Sequence, residues 1–112
     1  MKRILAILTA ITVSAADVTV TAYCPCRKCC GPKARGITAS GRRAVEGITI
    51  AGPRSIRLGT WVYLTVPGGF TNMKFRVDDR TSTNYEGRVD VFFKRHGIAQ
   101  QFGIHQGRLT IL

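Results

Sequence analysis

The sequence predicts an all-β fold, a small closed barrel of six short strands with one short helix. Three observations indicate this class: several short stretches alternate apolar and polar residues, turn residues separate them, and only one segment has helical periodicity. Closing the sheet into a barrel removes the exposed edges that six short strands would otherwise leave. A chain of 112 residues folds as one domain.

The strand predictions rest on alternation or on enrichment in β-branched and aromatic residues. In chain order the predicted strands are residues 18–23, 48–51, 61–66, 73–77, 88–93 and 108–112. The first, third and fourth alternate clearly, the last two are β-rich, and the second is the weakest candidate. Turn signals such as Gly52-Pro53 and Pro67-Gly68-Gly69 separate them. The helix is predicted over 96–102, where Ile98, Ala99 and Phe102 fall on one face.

The N-terminus has the pattern of an export signal. Lys2 and Arg3 precede an uncharged apolar stretch over residues 4–13, and Ser14-Ala15-Ala16 supplies the small residues of a cleavage site. The alternatives are a first buried strand or helix, or a permanent anchor, but the stretch is shorter than the roughly 20 residues that span a bilayer. We therefore expect a signal peptide over 1–16, a domain over 17–112, and a protein exported to the periplasm, cell wall or extracellular space without a stable membrane span.

The charge indicates polyanionic partners. Seventeen Lys and Arg against six Asp and Glu give a formal net charge of +11. Cleavage of the predicted signal peptide would remove Lys2 and Arg3 and lower the net charge to +9. Such an excess attracts nucleic acid, anionic lipid or an acidic envelope polymer. Export argues against nucleic acid, and the chain lacks the basic and aromatic interleaving that stacks bases.

A cysteine cluster occupies residues 24–30. Its members are Cys24, Cys26, Cys29 and Cys30. Disulfides are the default in an exported protein, tetrahedral zinc is the alternative because Cys26 and Cys29 have ligand spacing, and a redox role is the third. Each of the first two makes the cluster a structural staple of a small domain. One interpretation of His96 and His105 is that they extend a metal site, but both lie beside turns without a spaced partner, so we predict ordinary surface or half-buried rings for both.

The carboxylates are scarce and clustered. Four of the six fall at Asp78, Asp79, Glu86 and Asp90. An antiparallel return of the chain between the fourth and fifth strands would bring Asp90 close to Asp78 or Asp79. Neighbouring carboxylates raise one another's pKa, which suits proton donation at neutral pH. The alternative is that these acids pair with nearby arginines and cap turns.

Several motifs together resemble one known family. They are Gly36-Ile-Thr-Ala-Ser-Gly41, Ile50-Ala-Gly-Pro53, Ile56-Arg-Leu-Gly-Thr60, Val77-Asp-Asp-Arg80, Gly87-Arg-Val-Asp-Val-Phe-Phe93 and Phe102-Gly103. Their order, and the spacing of eleven from Asp79 to Asp90, resemble the 3D (three-aspartate) domain. That domain is a double-psi β-barrel related to the catalytic domain of membrane-bound lytic transglycosylase A. The resemblance runs from about Val18 to Leu112 and implies a six-stranded double-psi β-barrel.

The resemblance also implies a function and a site. It implies a peptidoglycan lytic transglycosylase that cleaves the MurNAc-GlcNAc β-1,4 bond to a 1,6-anhydro product, working as a monomer without a catalytic metal or other cofactor. Asp79 falls on the catalytic acid and base, and Asp90 on the third aspartate. Thr38, Ser40, Asp78 and Tyr85 are the expected substrate-binding residues, with turn or surface roles as the alternative for Thr38, Ser40 and Tyr85.

The chain departs from the family pattern at two places. Gly52 stands where the family usually has its first aspartate, and Arg80-Thr81-Ser82 replaces the usual Gly-Gly after the catalytic aspartate. These departures favour the alternative function, a non-catalytic cell-wall glycan-binding module of the expansin-like kind.

Overall fold

Six strands form a closed barrel in the computed structural model, which describes residues 15–26, 30, 34–81 and 86–112. The strands are β1 (Ala15–Tyr23), β2 (Thr49–Gly52), β3 (Thr60–Val66), β4 (Phe70–Arg80), β5 (Arg88–Phe92) and β6 (His105–Ile111). The helix α1 spans His96–Phe102, as predicted. The predicted all-β barrel of six strands with one short helix is confirmed, and the weakest predicted strand is present as β2.

The barrel closes in the order β1-β5-β2-β4-β3-β6. β1 pairs with β5 and β2 pairs with β4 in parallel, while the four remaining pairs are antiparallel. A tight turn containing Pro67 and Gly68, with Gly68 at φ +82°, joins β3 to β4. β5 therefore runs antiparallel to β4, but the two strands are not neighbours, because β2 lies between them.

The interior of the barrel is filled by side chains from alternate positions. The fully buried apolar residues include Val20, Ile50, Val62, Leu64, Phe75, Val77 and Val89. Branched side chains of this kind suit the pleated, half-buried surface of a strand. The lumen of the barrel is therefore a packed core.

Two findings bear on the N-terminal predictions. β1 begins at Ala15, so Ala15 and Ala16 pair with Thr110 and Leu109 of β6. Residues 1–14, most of the predicted signal peptide, lie outside the described residues. Within the part of the chain that is described, no helix has the length and apolar character needed to cross a membrane.

Candidate functional site

Four adjacent strands place a row of side chains on the outer face of the barrel. Thr21 is opposite Asp90, Asp90 is opposite Ala51, and Ala51 is opposite Asp79. Paired residues point to the same side of a sheet, and successive residues alternate. Since the preceding residues of β1, β5 and β2 are core residues, this row faces outward.

A β-bulge brings Asp79 into that row. Ile50 pairs with Val77 but Ala51 pairs with Asp79, so Asp78 is an extra residue on β4. An inserted residue reverses the side to which the following side chain points, and bulges are frequent beside functional sites. Here the bulge turns Asp79 toward the face that carries Asp90.

Asp79 and Asp90 open onto one cleft of about 640 Å³ on the barrel wall. Tyr23 at the end of β1 and the segment 34–38 form its sides. Arg35, Arg80 and Arg88 also line it. The described lining residues therefore include three arginines and two aspartates, a net positive formal charge that suits an anionic ligand.

The carboxylate of Asp79 is held by three donors. The Tyr23 hydroxyl donates to Oδ2 at 3.0 Å, and the backbone N–H groups of Ala39 and Arg80 donate to Oδ1 at 3.1 and 2.9 Å. The donors come from β1, from the segment before β2 and from β4 itself, so three parts of the chain fix its orientation. The side chain is half-buried, which leaves it open to the cleft.

Tyr23 is the member of the site that the sequence interpretation missed. Burial raises the pKa of its phenol far above the ordinary value, and the adjacent charge of Asp79 and the hydrogen bond to it raise the pKa further. Tyr23 therefore stays protonated. Its ring stacks edge-on against Phe92 at 5.4 Å between centroids. One feature of the sequence points to Tyr23: it lies two residues after Thr21 on an alternating strand, which places both side chains on the outer face.

Asp90 is buried, and its carboxylate accepts hydrogen bonds from two neighbouring side chains. Its Oδ1 accepts hydrogen bonds from the Thr21 hydroxyl and from Arg88 Nε, the latter at 3.0 Å. Its backbone lies two strands from that of Asp79, which corresponds to about 9.6 Å at ordinary strand spacing. Arg88 neutralises the charge of Asp90 locally. The two acids thus share a cleft without forming a close carboxylate pair.

The structure gives Asp78 a different place from the one expected of a substrate-binding residue. Its side chain has no exposed surface, and its oxygens accept from Arg42 at 3.1 Å and from Arg76. It is therefore a buried ion-pair partner beneath the bulge and does not contact the cleft. The physical reason is that Arg42 and Arg76 cover the Asp78 carboxylate, while the bulge brings the next residue, Asp79, into the row that faces the cleft.

Thr38 and Ser40 build the turn beside Asp79. The Thr38 hydroxyl donates to the carbonyl of Arg42 at 2.8 Å and lies 2.9 Å from the Ser40 hydroxyl. The Ser40 N–H donates to the carbonyl of Asp78 at 2.9 Å. These bonds hold the Ala39 N–H against Asp79. Thr38 also lines the cleft, whereas Tyr85, the remaining predicted substrate-binding residue, lies outside the described residues.

The two departures from the family pattern have local explanations. A Cβ at Gly52 would come within 3.1 Å of Val77, so a larger side chain would require the packing to shift. Arg80 donates from one guanidinium nitrogen to the carbonyls of Pro53 and Ile56 at 2.8 and 2.6 Å. Its side chain therefore ties the cleft floor to the loop after β2.

The cysteine cluster borders the same cleft and meets a histidine. The Sγ atoms of Cys24 and Cys26 lie 3.0 Å apart, well beyond the roughly 2.05 Å of a disulfide bond. The Nδ1 atom of His96 lies 3.4 Å from the first sulfur and 3.3 Å from the second. His96 is half-buried, and its ring lies against two cysteine sulfurs with which the sequence interpretation did not pair it. Cys30 lines the cleft, and Cys29 lies outside the described residues.

No protein-family model matches this sequence, and no curated protein matches it at a significant level.

Proposed function

We propose that this protein is a lytic transglycosylase that cleaves the β-1,4 bond between MurNAc and GlcNAc in peptidoglycan, with Asp79 as catalytic acid and base. The observation that carries the proposal is the Asp79 carboxylate, held by three donors and open to a cleft on the barrel wall. The resemblance to the 3D domain supplies the substrate class. The pattern of residues 1–16 supports an exported protein, which would place it where peptidoglycan is found.

One carboxyl group suffices for this reaction. Protonated Asp79 gives its proton to the glycosidic oxygen as the C1–O4 bond breaks. The resulting carboxylate then takes the proton of the MurNAc 6-hydroxyl as that oxygen bonds to C1, so the acid is regenerated and no water is consumed. Ordinary glycosidases need two carboxyl groups, one of which activates water or attacks the sugar. The separation of Asp79 from Asp90 therefore does not impede the mechanism.

Tyr23 can support both protonation states of Asp79. A phenol hydroxyl donates a hydrogen bond to a carboxylate and can turn to accept a hydrogen bond from a carboxylic acid. Tyr23 itself stays protonated because burial and the neighbouring charge raise its pKa. The oxygen Oδ2, on the Tyr23 side of the carboxyl group, is then the one that exchanges the proton, since Oδ1 already accepts two backbone N–H groups.

The cationic groups of the cleft would bind the acidic parts of the substrate. Peptidoglycan stem peptides carry carboxylates, and Arg35 and Arg88 lie on the cleft wall. Asp90 acts here as a positioning residue, because it accepts from Arg88 and fixes the guanidinium at the edge of the cleft. Thr21 completes the arrangement by donating to the same carboxylate.

A second candidate function is binding of cell-wall glycan without cleavage. It is favoured by Gly52 and Arg80, because the position of the family's first aspartate has little room for a side chain and the floor of the cleft carries a large one. Such a protein would keep the charged cleft and the affinity for the wall but lack turnover.

Digestion of purified sacculi separates the two candidates. The unmodified protein should release muropeptides that carry 1,6-anhydro ends, detected by mass spectrometry. Asp79→Asn should lower the rate about 100-fold to 10,000-fold, the usual contribution of general acid and base catalysis. An asparagine retains the acceptor for the two backbone N–H groups, so binding to sacculi should survive. Asp90→Asn should cost less, because Asp90 does not transfer the proton.

Asp17→Asn is the matched control. Asp17 also lies on the barrel surface, paired with Arg108, but its side chain is 84% exposed and outside the cleft lining. Its rate should equal that of the unmodified protein. Binding without release of any muropeptide would establish the glycan-binding function instead, and products with free reducing ends would show that water, not the 6-hydroxyl, attacks.

A further inference from the structure

A group of three metal-ligand side chains lies where β1 ends and α1 begins. Cys24 and Cys26 follow β1, and His96 is the first residue of α1. Their donor atoms, two Sγ and one Nδ1, form a nearly equilateral triangle with edges of 3.0, 3.3 and 3.4 Å. The two cysteines are about 70 residues from the histidine in sequence, so the folded barrel brings them together.

The size of the triangle is close to that of a zinc site. With Zn–S bonds of about 2.3 Å and Zn–N bonds of about 2.0–2.1 Å, tetrahedral ligands lie roughly 3.5–3.8 Å apart. The two sulfur–nitrogen edges need to lengthen by about 0.2 Å, and the sulfur–sulfur edge by about 0.8 Å, which a change of side-chain rotamer at the half-buried Cys26 can supply. Thiolate and imidazole donors bind Zn²⁺ in preference to Mg²⁺ or Ca²⁺, which take oxygen ligands. We propose that Cys24, Cys26 and His96 bind one Zn²⁺ ion.

The surroundings favour a structural role for this ion. Cys24 is fully buried, while Cys26 and His96 are half-buried, so the site lies just under the surface. The Cys30 N–H donates to the carbonyl of Cys26 at 2.9 Å, and the Cys30 thiol donates to the carbonyl of Cys24 at 3.1 Å. These bonds fold the chain after β1 around the donor atoms, with a third thiol beside them.

The ion would connect the barrel to the helix. Cys24 directly follows Tyr23, whose hydroxyl holds Asp79, and the Phe93 N–H donates to the Tyr23 carbonyl at 2.9 Å. A bond from Cys24 through the metal to His96 would fix the end of β1 against the start of α1. The site is separate from the carboxylate chemistry, so its presence does not depend on the proposed enzymatic activity.

Binding requires loss of protons. Each cysteine binds as a thiolate and the imidazole binds through Nδ1 with its proton on Nε2, so the two thiols release two protons per ion. Affinity should therefore fall as the pH is lowered.

The test uses the full chain, purified in the presence of a phosphine reductant and titrated with Zn²⁺ or Co²⁺. Elemental analysis should give one Zn²⁺ per chain, and Co²⁺ should give the intense visible bands of a tetrahedral site with thiolate ligands. His96→Gln should weaken Co²⁺ binding by more than about 100-fold, since even the loss of an outer-shell partner costs 10-fold to 100-fold. Cys26→Ser should weaken it likewise and serves as a second variant should the first fail to fold.

His105→Gln is the control, because His105 lies on β6 and contacts the Phe102 carbonyl and ring instead of the cysteines. It should bind Co²⁺ as the unmodified chain does. The proposal is overturned if the reduced chain binds no metal, if His96→Gln binds Co²⁺ as tightly as the unmodified chain, or if the exported protein contains two disulfides and no metal.

Discussion

Replacing Tyr23 with phenylalanine should change how the stability of the protein depends on alkaline pH. The substitution keeps the ring that packs against Phe92 and removes only the hydroxyl that donates to Asp79. Near neutral pH the variant should be less stable by about 1.5–3 kcal/mol, the usual contribution of a hydrogen bond to a charged group. Urea unfolding of both proteins measures this difference.

The difference should shrink as the pH rises. In the unfolded chain the Tyr23 phenol ionises with a pKa of about 10, whereas burial and the charge of Asp79 raise its pKa far above that in the folded protein. The stability that Tyr23 contributes is therefore fully present below pH 10 and is lost above it, because only the unfolded state releases the proton. The loss is about 1.4 kcal/mol at pH 11 and approaches 1.36 kcal/mol for each further pH unit.

Urea unfolding at a series of pH values from 8 to 11 tests this reasoning. The difference in unfolding free energy between the unmodified protein and Tyr23→Phe should narrow by about 1.4 kcal/mol over that range. Tyr63→Phe is the control, since Tyr63 is exposed on β3. It should keep the pH dependence of the unmodified protein. A difference that stays constant up to pH 11 would show that Tyr23 ionises equally in both states, and the account of its environment would be wrong.

Three further substitutions test the packing of the barrel and the ion pairs of Asp78. Gly107→Ala should destabilise the barrel by about 1–3 kcal/mol, because its Cβ would lie 2.7 Å from a backbone oxygen, whereas Gly87→Ala, with open space around it, should be nearly neutral; equal melting temperatures would contradict this. Asp78→Ala should cost about 3 kcal/mol, the lower end for breaking a buried ion pair, because Arg76 still reaches solvent. A loss below 1 kcal/mol in urea unfolding would show that the ion pairs beneath the bulge contribute little.

Strand positions were predictable from the sequence because they depend on local alternation. The segments around Val20, Val62 and Phe75 alternate buried and exposed residues, and each is a strand in the structure. The helix was equally local, since Ala99 is buried and Phe102 packs against the core, although Ile98 of the same predicted face is exposed. Periodicity of this kind reports on neighbours within a single element.

The order of strands was less accessible to such reasoning. The return of the chain from β4 to β5 is antiparallel, but the insertion of β2 between these two strands was not predicted. Which strands are neighbours depends on contacts between distant segments, and no periodicity within Thr49–Gly52 specifies its partners. The same reason explains why the contact of His96 with two cysteine sulfurs was not predicted, because those cysteines are about 70 residues away in the sequence.

The pair Asp78-Asp79 shows how one local irregularity creates the candidate site. Without the bulge, β4 would keep its alternation with β2 and Asp79 would not share the outward row of Ala51. Asp78 stabilises the irregularity from beneath, because Arg42 and Arg76 pair with its side chain while the Ser40 N–H pairs with its carbonyl. The turn anchored in this way also supplies the Ala39 N–H to Asp79. The buried aspartate therefore holds the chain in the shape that exposes its neighbour, so two adjacent residues of the same type have different roles, one in the ion pairs that support the bulge and one in the candidate site.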